Sequence, residues 1–475
     1  MVRASLMLAT SREVVPARAQ MATTLGFHII LACFGIALPT IVLIAEYIGL
    51  KRSDPVAMTL ARRWSQAMGV LVAVGAVTGT VLSFEMGLLW PGLMRRYGPV
   101  IGLPFALEGI FFFLEAIFTA IYLYGWRRLR PWAHFWSGIP IAVSGIFGAL
   151  SVMAANSWMN QPGGFTLKAG RVVSVDPLRV FFNRAAAYEM PHMLLAAYLV
   201  AGFGVASVYA VGFLRGRDDR YHRLGFAIPF VLAAALTPVE FFVGDTAARA
   251  IATDQPVKFA AMEYVTRTTR QAPEYLGGVY VKGHVYGGLR IPGLDSLLVG
   301  FSTHTKVTGL DTVAPADRPP VPSLIHLAFD VMAGLGSLSV IPLLWLLLAW
   351  WRRRALPSHR WFWLLAAGAG PAALVAMEAG WVVTEVGRQP WTVYHLLLTS
   401  QAATPASGVI GTLAATLVIY GVLTIATFAI LIVMQRRWQA QAGEPEAEIP
   451  HELHAGLNAL RPGARRRAGR PGVRR

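Results

Sequence analysis

The stretch SGVIGTLAATLVIYGVLTIATFAILIVM, residues 407–434, carries no charged side chain. A helix needs about 20 apolar residues to cross the roughly 30 Å hydrocarbon core of a bilayer. Lipid offers the backbone no hydrogen-bond partner, so a spanning segment of this kind is expected to be helical. The same length and composition recur at 22–50, 66–90, 104–125, 135–158, 187–214, 224–244, 323–350 and 361–385. The sequence therefore predicts an all-α polytopic membrane protein with about nine transmembrane helices.

The overall composition agrees with this fold class. Of the 475 residues, 55% are hydrophobic and 14% are charged, and the mean hydropathy is +0.52. About a quarter of a soluble domain is charged, so a soluble enzyme and a disordered protein are both excluded. Lysine and arginine outnumber the acids by 42 to 25. Because these cations cluster in short loops between apolar stretches, they indicate membrane orientation rather than nucleic-acid binding.

The distribution of these cations predicts the orientation. Seventeen lysines and arginines lie in one set of short loops and seven lie in the opposite set. Cytoplasmic loops carry the excess, so the N-terminus is predicted to be periplasmic and the C-terminus cytoplasmic. The predicted divisions are an N-terminal lead-in (1–21), transmembrane helices one to six (22–244), a long extracytoplasmic loop (245–322), transmembrane helices seven to nine (323–434) and a basic, disordered cytoplasmic tail near anionic lipid (435–475).

Three histidines lie inside apolar stretches: His28, His192 and His326. An ionisable group in lipid needs a partner and is a functional candidate; the alternative is a hydrogen-bonded ring at a helix contact. The predicted orientation puts these rings in the outer half of the membrane, together with Met332 and Glu385. Imidazole nitrogen and thioether sulfur suit iron, so such a layer is typical of axial haem ligation. Met332 alone carries little weight, since methionines commonly fill gaps.

Two acids of the third segment, Glu108 and Glu115, are seven residues apart and therefore share one helix face. Carboxylates in lipid are costly unless neutralised or hydrated. This favours a proton relay over two protonated acids bonded to neighbouring helices. Glu46, near the cytoplasmic end of the first segment, is either a point of proton uptake or a side chain that extends to the surface.

The eighth segment places Glu378, Trp381 and Glu385 on one face. Arg388 follows at the outer surface and is suited to a bidentate contact with a haem propionate; the alternative is an ordinary interfacial arginine. The long loop contains Lys258 and Glu263, a cation and a carboxylate suited to binding and deprotonating a quinol head group. The alternative is a solvated salt bridge worth about 0–1 kcal/mol.

Together these motifs resemble subunit I of the cytochrome bd quinol oxidases, over about residues 17–435. The resemblance rests on several independent motifs in the same order as in the family. They are LEG (107–109), FLE (113–115), NSWM (156–159), GD (244–245), QP (255–256), KFAAME (258–263), EAGW (378–381) and GRQPW (387–391). The loop lacks the longer insertion of some members, which indicates the short quinol-loop subtype.

The resemblance implies three haem groups. His192 and Met332 would ligate a low-spin haem b. His28 and Glu385 would each serve one of two further haems, a high-spin haem b and a chlorin-type haem d, in an order that the resemblance leaves open. Some family members have an arginine two residues before the methionine ligand. This chain has Asp330 at that position. Stabilisation of the reduced low-spin haem by a nearby cation is therefore in doubt.

The resemblance also implies roles for the remaining candidates. Lys258 and Glu263 would belong to the quinol-oxidising loop. Glu108 and Glu115 would belong to the proton route and the di-haem pocket, and Trp381 and Arg388 would lie beside the haems. The candidate catalytic residues are thus Glu108, Glu115, Glu378, Trp381 and Arg388.

The implied activity is that of a quinol:oxygen oxidoreductase of the bacterial inner membrane. Quinol, either ubiquinol or menaquinol, would be oxidised at the outer face, and dioxygen would be reduced to water with protons drawn from the cytoplasm. That crossing of protons would make the reaction electrogenic. The implied partners are subunit II, possible small single-span subunits, quinol, dioxygen and membrane lipid, with no nucleic acid.

Three other kinds of protein are weighed against this interpretation. A haem-copper oxidase needs a dense set of intramembrane histidines, and three are too few. A membrane cytochrome b would relay electrons to a partner without reducing oxygen. A proton-coupled transporter without cofactors would use the acids alone.

Overall fold

The computed structural model describes the backbone of residues 2–441 and the side chains of residues 13–440. Within that range the α-helices are α1 (Val2–Arg52), α2 (Pro55–Leu89), α3 (Pro91–Gly125), α4 (Pro131–Asn160), α5 (Pro177–Phe181), α6 (Ala186–Leu214), α7 (Arg220–Asp254), α8 (Pro256–Met262), α9 (Leu294–Gly300), α10 (Pro322–Leu338), α11 (Val340–Arg353), α12 (Arg360–Gly387), α13 (Thr399–Ala402) and α14 (Val409–Gln441). Six of them begin at proline, whose fixed φ and missing N–H suit a first helical turn.

The prediction of nine membrane-crossing helices is confirmed within the described residues. Each predicted stretch falls on one long helix, except that the seventh is divided into α10 and α11 at Ser339. The protein is a multi-pass membrane protein. Which side each terminus faces stays a prediction.

Helices α1 and α14 extend beyond the predicted ends of the first and last apolar segments. Residues before 22 are part of α1: Ala17 is fully buried, and Gln20 Nε2 donates to Glu85 Oε1 at 2.8 Å. Packing against α2 continues the helix past the point where the apolar run ends. Helix α14 extends to Gln441, so the predicted tail begins later than 435, and residues 442–475 lie outside the described residues.

One half of the bundle, around the turn between α1 and α2, is filled by side chains. The rings of Phe203, Phe226, Phe230 and Phe362 are fully buried there. Small residues allow close helix contact. A Cβ on Gly370 of α12, for example, would lie 3.0 Å from the Phe203 carbonyl oxygen of α6. The opposite half of the bundle encloses a cavity.

Short antiparallel strand pairs cover the cavity end of the bundle. Strands β1 (Phe165–Lys168) and β2 (Arg171–Val175) form a hairpin between α4 and α5. The segment between α8 and α10 contains three nested pairs: β3 (Thr269–Arg270) with β8 (Lys306–Val307), β4 (Glu274–Leu276) with β7 (Leu289–Ile291), and β5 (Val279–Val281) with β6 (His284–Tyr286). The last pair is β9 (Trp391–Val393) with β10 (Leu397–Leu398).

The long loop predicted over 245–322 starts later than expected, because α7 continues to Asp254. Its innermost hairpin turns at Lys282 and Gly283, whose φ values are 47° and 91°. Two residues with positive φ are what a tight hairpin turn requires. Short 3-10 helices at Leu310–Thr312 and Pro315–Asp317 return the chain to α10.

Candidate functional site

The cavity has a volume of about 1800 Å³. Sites for one drug-sized ligand measure about 300–1,000 Å³, so this space is large enough for more than one bulky group. Ten of the residues predicted from the sequence line it: His28, Glu108, Glu115, His192, Lys258, Glu263, Met332, Trp381, Glu385 and Arg388. Glu46, His326, Asp330 and Glu378 are not among its lining residues.

His28 of α1 is held with one ring nitrogen available to the cavity. Its Nδ1 lies 2.9 Å from Thr78 Oγ1, and that hydroxyl donates its own hydrogen to the Gly75 carbonyl at 3.0 Å. The hydroxyl can therefore only accept from His28, so Nδ1 carries the ring hydrogen and the Nε2 lone pair is unused. A Cβ on Gly79 would lie 3.0 Å from the ring, so glycine makes room for it.

His192 of α6 lies beside an acid of the neighbouring helix. Its Nδ1 lies 3.0 Å from Glu240 Oε1 of α7. The contact is an ion-pair distance only, since His192 Nδ1 has no hydrogen-bond partner within the described residues. A carboxylate on the Nδ1 side of a histidine leaves Nε2 to bind a metal, as in many metal sites. Glu240 was missed in the sequence interpretation, although an acid within the apolar stretch 224–244 was a signal of the same kind as Glu108.

His326 and His134 have no free ring nitrogen. His326 contacts the Met262 carbonyl at 2.5 Å and the Gly277 carbonyl at 3.2 Å. Nε2 also lies 3.4 Å from Asp330 Oδ2. These contacts attach the ring to the outer loop, which agrees with the alternative of a hydrogen-bonded histidine at a helix contact. His134 uses Nδ1 toward Glu46, at 2.7 Å, and Nε2 toward a backbone carbonyl.

Glu46 is sealed inside the filled half of the bundle. It is 1% exposed and accepts hydrogen bonds from Tyr122, at 2.5 Å, and from His134. The alternative that its side chain extends to the surface was wrong, because two buried donors hold it inside. His134 lies just before the predicted stretch 135–158, which is why it was not counted as intramembrane.

Met332 of α10 points toward α12. A Cβ on Gly380 would lie 2.6 Å from Met332 Sδ. Real Cβ atoms essentially never approach another atom that closely, so only glycine at 380 allows this position of the sulfur. Asp330, two residues earlier, accepts from the Gly277 backbone N–H at 2.5 Å. Its carboxylate is therefore committed to the outer loop.

Glu385 lies at the end of α12 in a polar network. Its Oε1 accepts from Asn156 Nδ2 at 2.8 Å, and its Oε2 accepts from Arg388 at 2.7 Å. Arg388 is 3% exposed, yet its Nε has no hydrogen-bond partner within the described residues, and the same holds for Trp381 Nε1 and Glu378 Oε1. Buried polar groups are normally bonded, so the two donors that line the cavity, Arg388 Nε and Trp381 Nε1, are placed to bond a polar ligand there.

The two acids of α3 meet the cavity between α1 and α4. A Cβ on Gly35 would lie 3.5 Å from Glu115 Oε1, and one on Gly145 would lie 3.8 Å from its Cδ. These glycines make room for the carboxyl group. Both Glu108 and Glu115 line the cavity, as their shared helix face predicts.

Lys258 and Glu263 do not form the solvated salt bridge considered as an alternative. They are 2% and 3% exposed, and neither forms an ion pair within the described residues. The Lys258 side chain packs on Gly387, where a Cβ would lie 2.8 Å from its Cγ. Burial lowers the pKa of Lys258 to about 8, and burial together with neighbouring acids raises the pKa of Glu263.

The comparisons with known proteins agree with this geometry. Residues 16–439 match the family model described as cytochrome bd terminal oxidase subunit I. A Bacillus subtilis protein named as a candidate cytochrome bd menaquinol oxidase subunit I is 34% identical over 414 residues, which cover 84% of this chain and 91% of that protein. The cytochrome bd-II ubiquinol oxidase subunit 1 of Escherichia coli is 25% identical, covering 91% and 98%. The structure of bd oxidase from Geobacillus thermodenitrificans superposes with a TM-score of 0.84 at 36% identity, covering 89% of this chain and 98% of that one.

Proposed function

This chain belongs to the cytochrome bd terminal oxidase subunit I family, and from that premise we propose that it oxidises quinol and reduces dioxygen to water. Cytochrome bd oxidases have a subunit II, so the active complex would be at least a heterodimer. Small single-span subunits are a further proposed component. The observation that carries the proposal is a pair of cavity histidines: His28, hydrogen-bonded through Nδ1 to Thr78, and His192, with Nδ1 3.0 Å from Glu240.

The donor set fits haem iron. His192 and Met332 would hold a low-spin haem b, since an imidazole and a thioether are a known axial pair. His28 and Glu385 would serve a high-spin haem b and a haem d, in either order. The unpartnered donors Arg388 Nε and Trp381 Nε1 are suited to haem carboxylates. Once bound, the haems would supply electron transfer and oxygen reduction.

Quinol oxidation would take place beside Lys258 and Glu263. The Lys258 ammonium would hold a quinol oxygen through a charge-assisted hydrogen bond. The Glu263 carboxylate would take the hydroxyl proton as the quinol is oxidised. Burial of both side chains excludes bulk water, which strengthens these contacts.

Proton delivery to the oxygen site would use Glu115 and Glu108. Both carboxyls line the cavity, and the predicted orientation puts the cytoplasm on the side of the turn between α1 and α2. Protons would then cross most of the membrane before reaching them. Moving one charge across 100 mV is worth about 2.3 kcal/mol, so this crossing would make the reaction electrogenic without a separate pump.

The test is a reduced-minus-oxidised spectrum and an oxygen-consumption assay on the complex with subunit II. We expect three haem signals and quinol-dependent oxygen uptake. His192→Ala should remove the low-spin signal alone, whereas His284→Ala, in an exposed strand of the loop, should leave all signals intact. Absence of haem bands would refute the proposal and favour a transporter. Haem without oxygen uptake would favour a membrane cytochrome b that passes electrons to a partner.

A further inference from the structure

Three acids of the outer loop meet in its interior and form what we call the acid trio: Glu263, Glu274 and Asp295. Glu263 follows α8, Glu274 begins β4, and Asp295 lies in the first turn of α9. One carboxylate oxygen of each lies within 4.8 Å of the other two. Their exposed fractions are 3%, 7% and 1%, so all three are removed from water.

The acid trio has no positive partner. None of its members forms an ion pair within the described residues. Lys258 of α8 faces Glu189 and Glu385 instead. From α10, Asp330 adds another negative charge, and His326 bonds to backbone carbonyls. Three carboxylates this close cannot all be ionised in a desolvated space, so the trio shares protons as one unit.

Two oxygens within the trio are unpartnered. Glu263 Oε2 and Asp295 Oδ2 are buried and accept no hydrogen bond within the part of the chain described here. An unpartnered carboxylate oxygen is a position at which a proton can be received. Burial, reinforced by the neighbouring acids, raises the pKa of Glu263 and raises the pKa of Asp295 to about 10.

The acid trio lines the same cavity as Lys258. We propose that the trio is the proton acceptor of quinol oxidation: Glu263 takes the proton, and Asp295 and Glu274 share it before its release at the outer surface. This inference rests on the proposed function. Each O–H bond of the quinol breaks, the proton forms an O–H bond on a trio carboxyl, and one trio proton passes to water. The two electrons would leave one at a time, each reducing one ferric haem, and two such one-electron reductions would complete the oxidation.

The test compares Glu274→Gln and Asp295→Asn with Asp311→Asn in the complex with subunit II. Asp311 is an exposed acid of the same loop, and its change removes one charge while keeping an acceptor oxygen. We expect both trio variants to lower kcat for quinol oxidation by about tenfold or more, with KM within about twofold. Their pH profiles should shift toward lower pH, because removing a neighbouring negative charge lowers the pKa of the remaining acids. Asp311→Asn should match the wild type.

Two further measurements keep the outcomes distinct. Oxygen uptake driven by a chemical reductant bypasses quinol and should be equal in all variants, and Glu274→Asp should restore quinol oxidation. Trio variants with the rate and pH profile of Asp311→Asn would overturn the inference while leaving the oxidase intact. A wild type that consumes oxygen with the chemical reductant but not with quinol would overturn the proposed function instead. A divalent cation bound one per chain and lost in Asp295→Asn would replace proton sharing with metal binding.

Discussion

Replacing Gly380 by alanine should displace the sulfur of Met332 and remove the low-spin haem signal. The new Cβ would lie 2.6 Å from Sδ, whereas ordinary contact begins at 3.4 Å. The sulfur must therefore move by about 0.8 Å, the difference between these two distances. Overpacking of this kind costs about 1–3 kcal/mol. Metal–sulfur bonds are short, roughly 2.3 Å for zinc–thiolate, so a shift of that size should abolish ligation by the thioether.

The assay is a reduced-minus-oxidised spectrum, together with carbon monoxide binding to the reduced complex. We expect Gly380→Ala to lose the low-spin band, to gain carbon monoxide binding and to resemble Met332→Leu. Gly368→Ala is the matched control, because it lies on the same helix and a Cβ there would meet nothing within 4 Å. Helix propensity favours alanine by about 1 kcal/mol at both positions. A folded Gly380→Ala protein with an unchanged low-spin band would refute the assignment of Met332 as a ligand held in place by Gly380.

The remaining predictions concern Lys258 and the buried pair of Glu46 and His134. Lys258→Met should raise KM for quinol by about 10-fold to 100-fold at pH 7, since a hydrogen bond to a charged group is worth about 1.5–3 kcal/mol. The control Lys168→Met, in an exposed strand, should leave KM for quinol unchanged. Burial lowers the pKa of Lys258 to about 8, so the ammonium is lost as the pH rises through 8. The wild-type KM for quinol should then approach that of Lys258→Met. Steady-state kinetics from pH 6 to 9 measure this, and a wild-type KM that does not change with pH would contradict it. Glu46→Gln should destabilise the complex by about 3–5 kcal/mol, because it leaves buried His134 without its carboxylate partner. Thermal unfolding in detergent tests this against the exposed Asp218→Asn, which should change little.

The membrane-crossing helices were predictable because the requirement is local. A run such as 407–434 has no low-energy alternative to a helix in lipid, whatever its neighbours are. The ends of the helices were not predictable in the same way, because they depend on contacts with distant residues. Gln20 continues α1 because it meets Glu85 of α2, and that contact depends on a residue 65 positions away.

The candidate site was predicted in its residue types but not in its chemistry. The position of the three histidines in apolar stretches did not separate them, and their contacts in the structure do. Thr78 and Glu240 each lie beside Nδ1 of one ring, whereas backbone carbonyls lie beside both nitrogens of His326. Backbone carbonyls have no signature in the sequence, so no pattern distinguishes these cases.

The amino-acid sequence by itself determined the fold class, the number of crossing helices and the face that Glu108 and Glu115 share, because hydrophobic length and helical period are properties of consecutive residues. The tertiary structure alone decided which side chains border the cavity and which acids come together. Glu263, Glu274 and Asp295 meet only because nested strand pairs fold the loop back on itself. The electrostatics of a buried group depend on what surrounds it in space, and distant segments supply most of those surroundings.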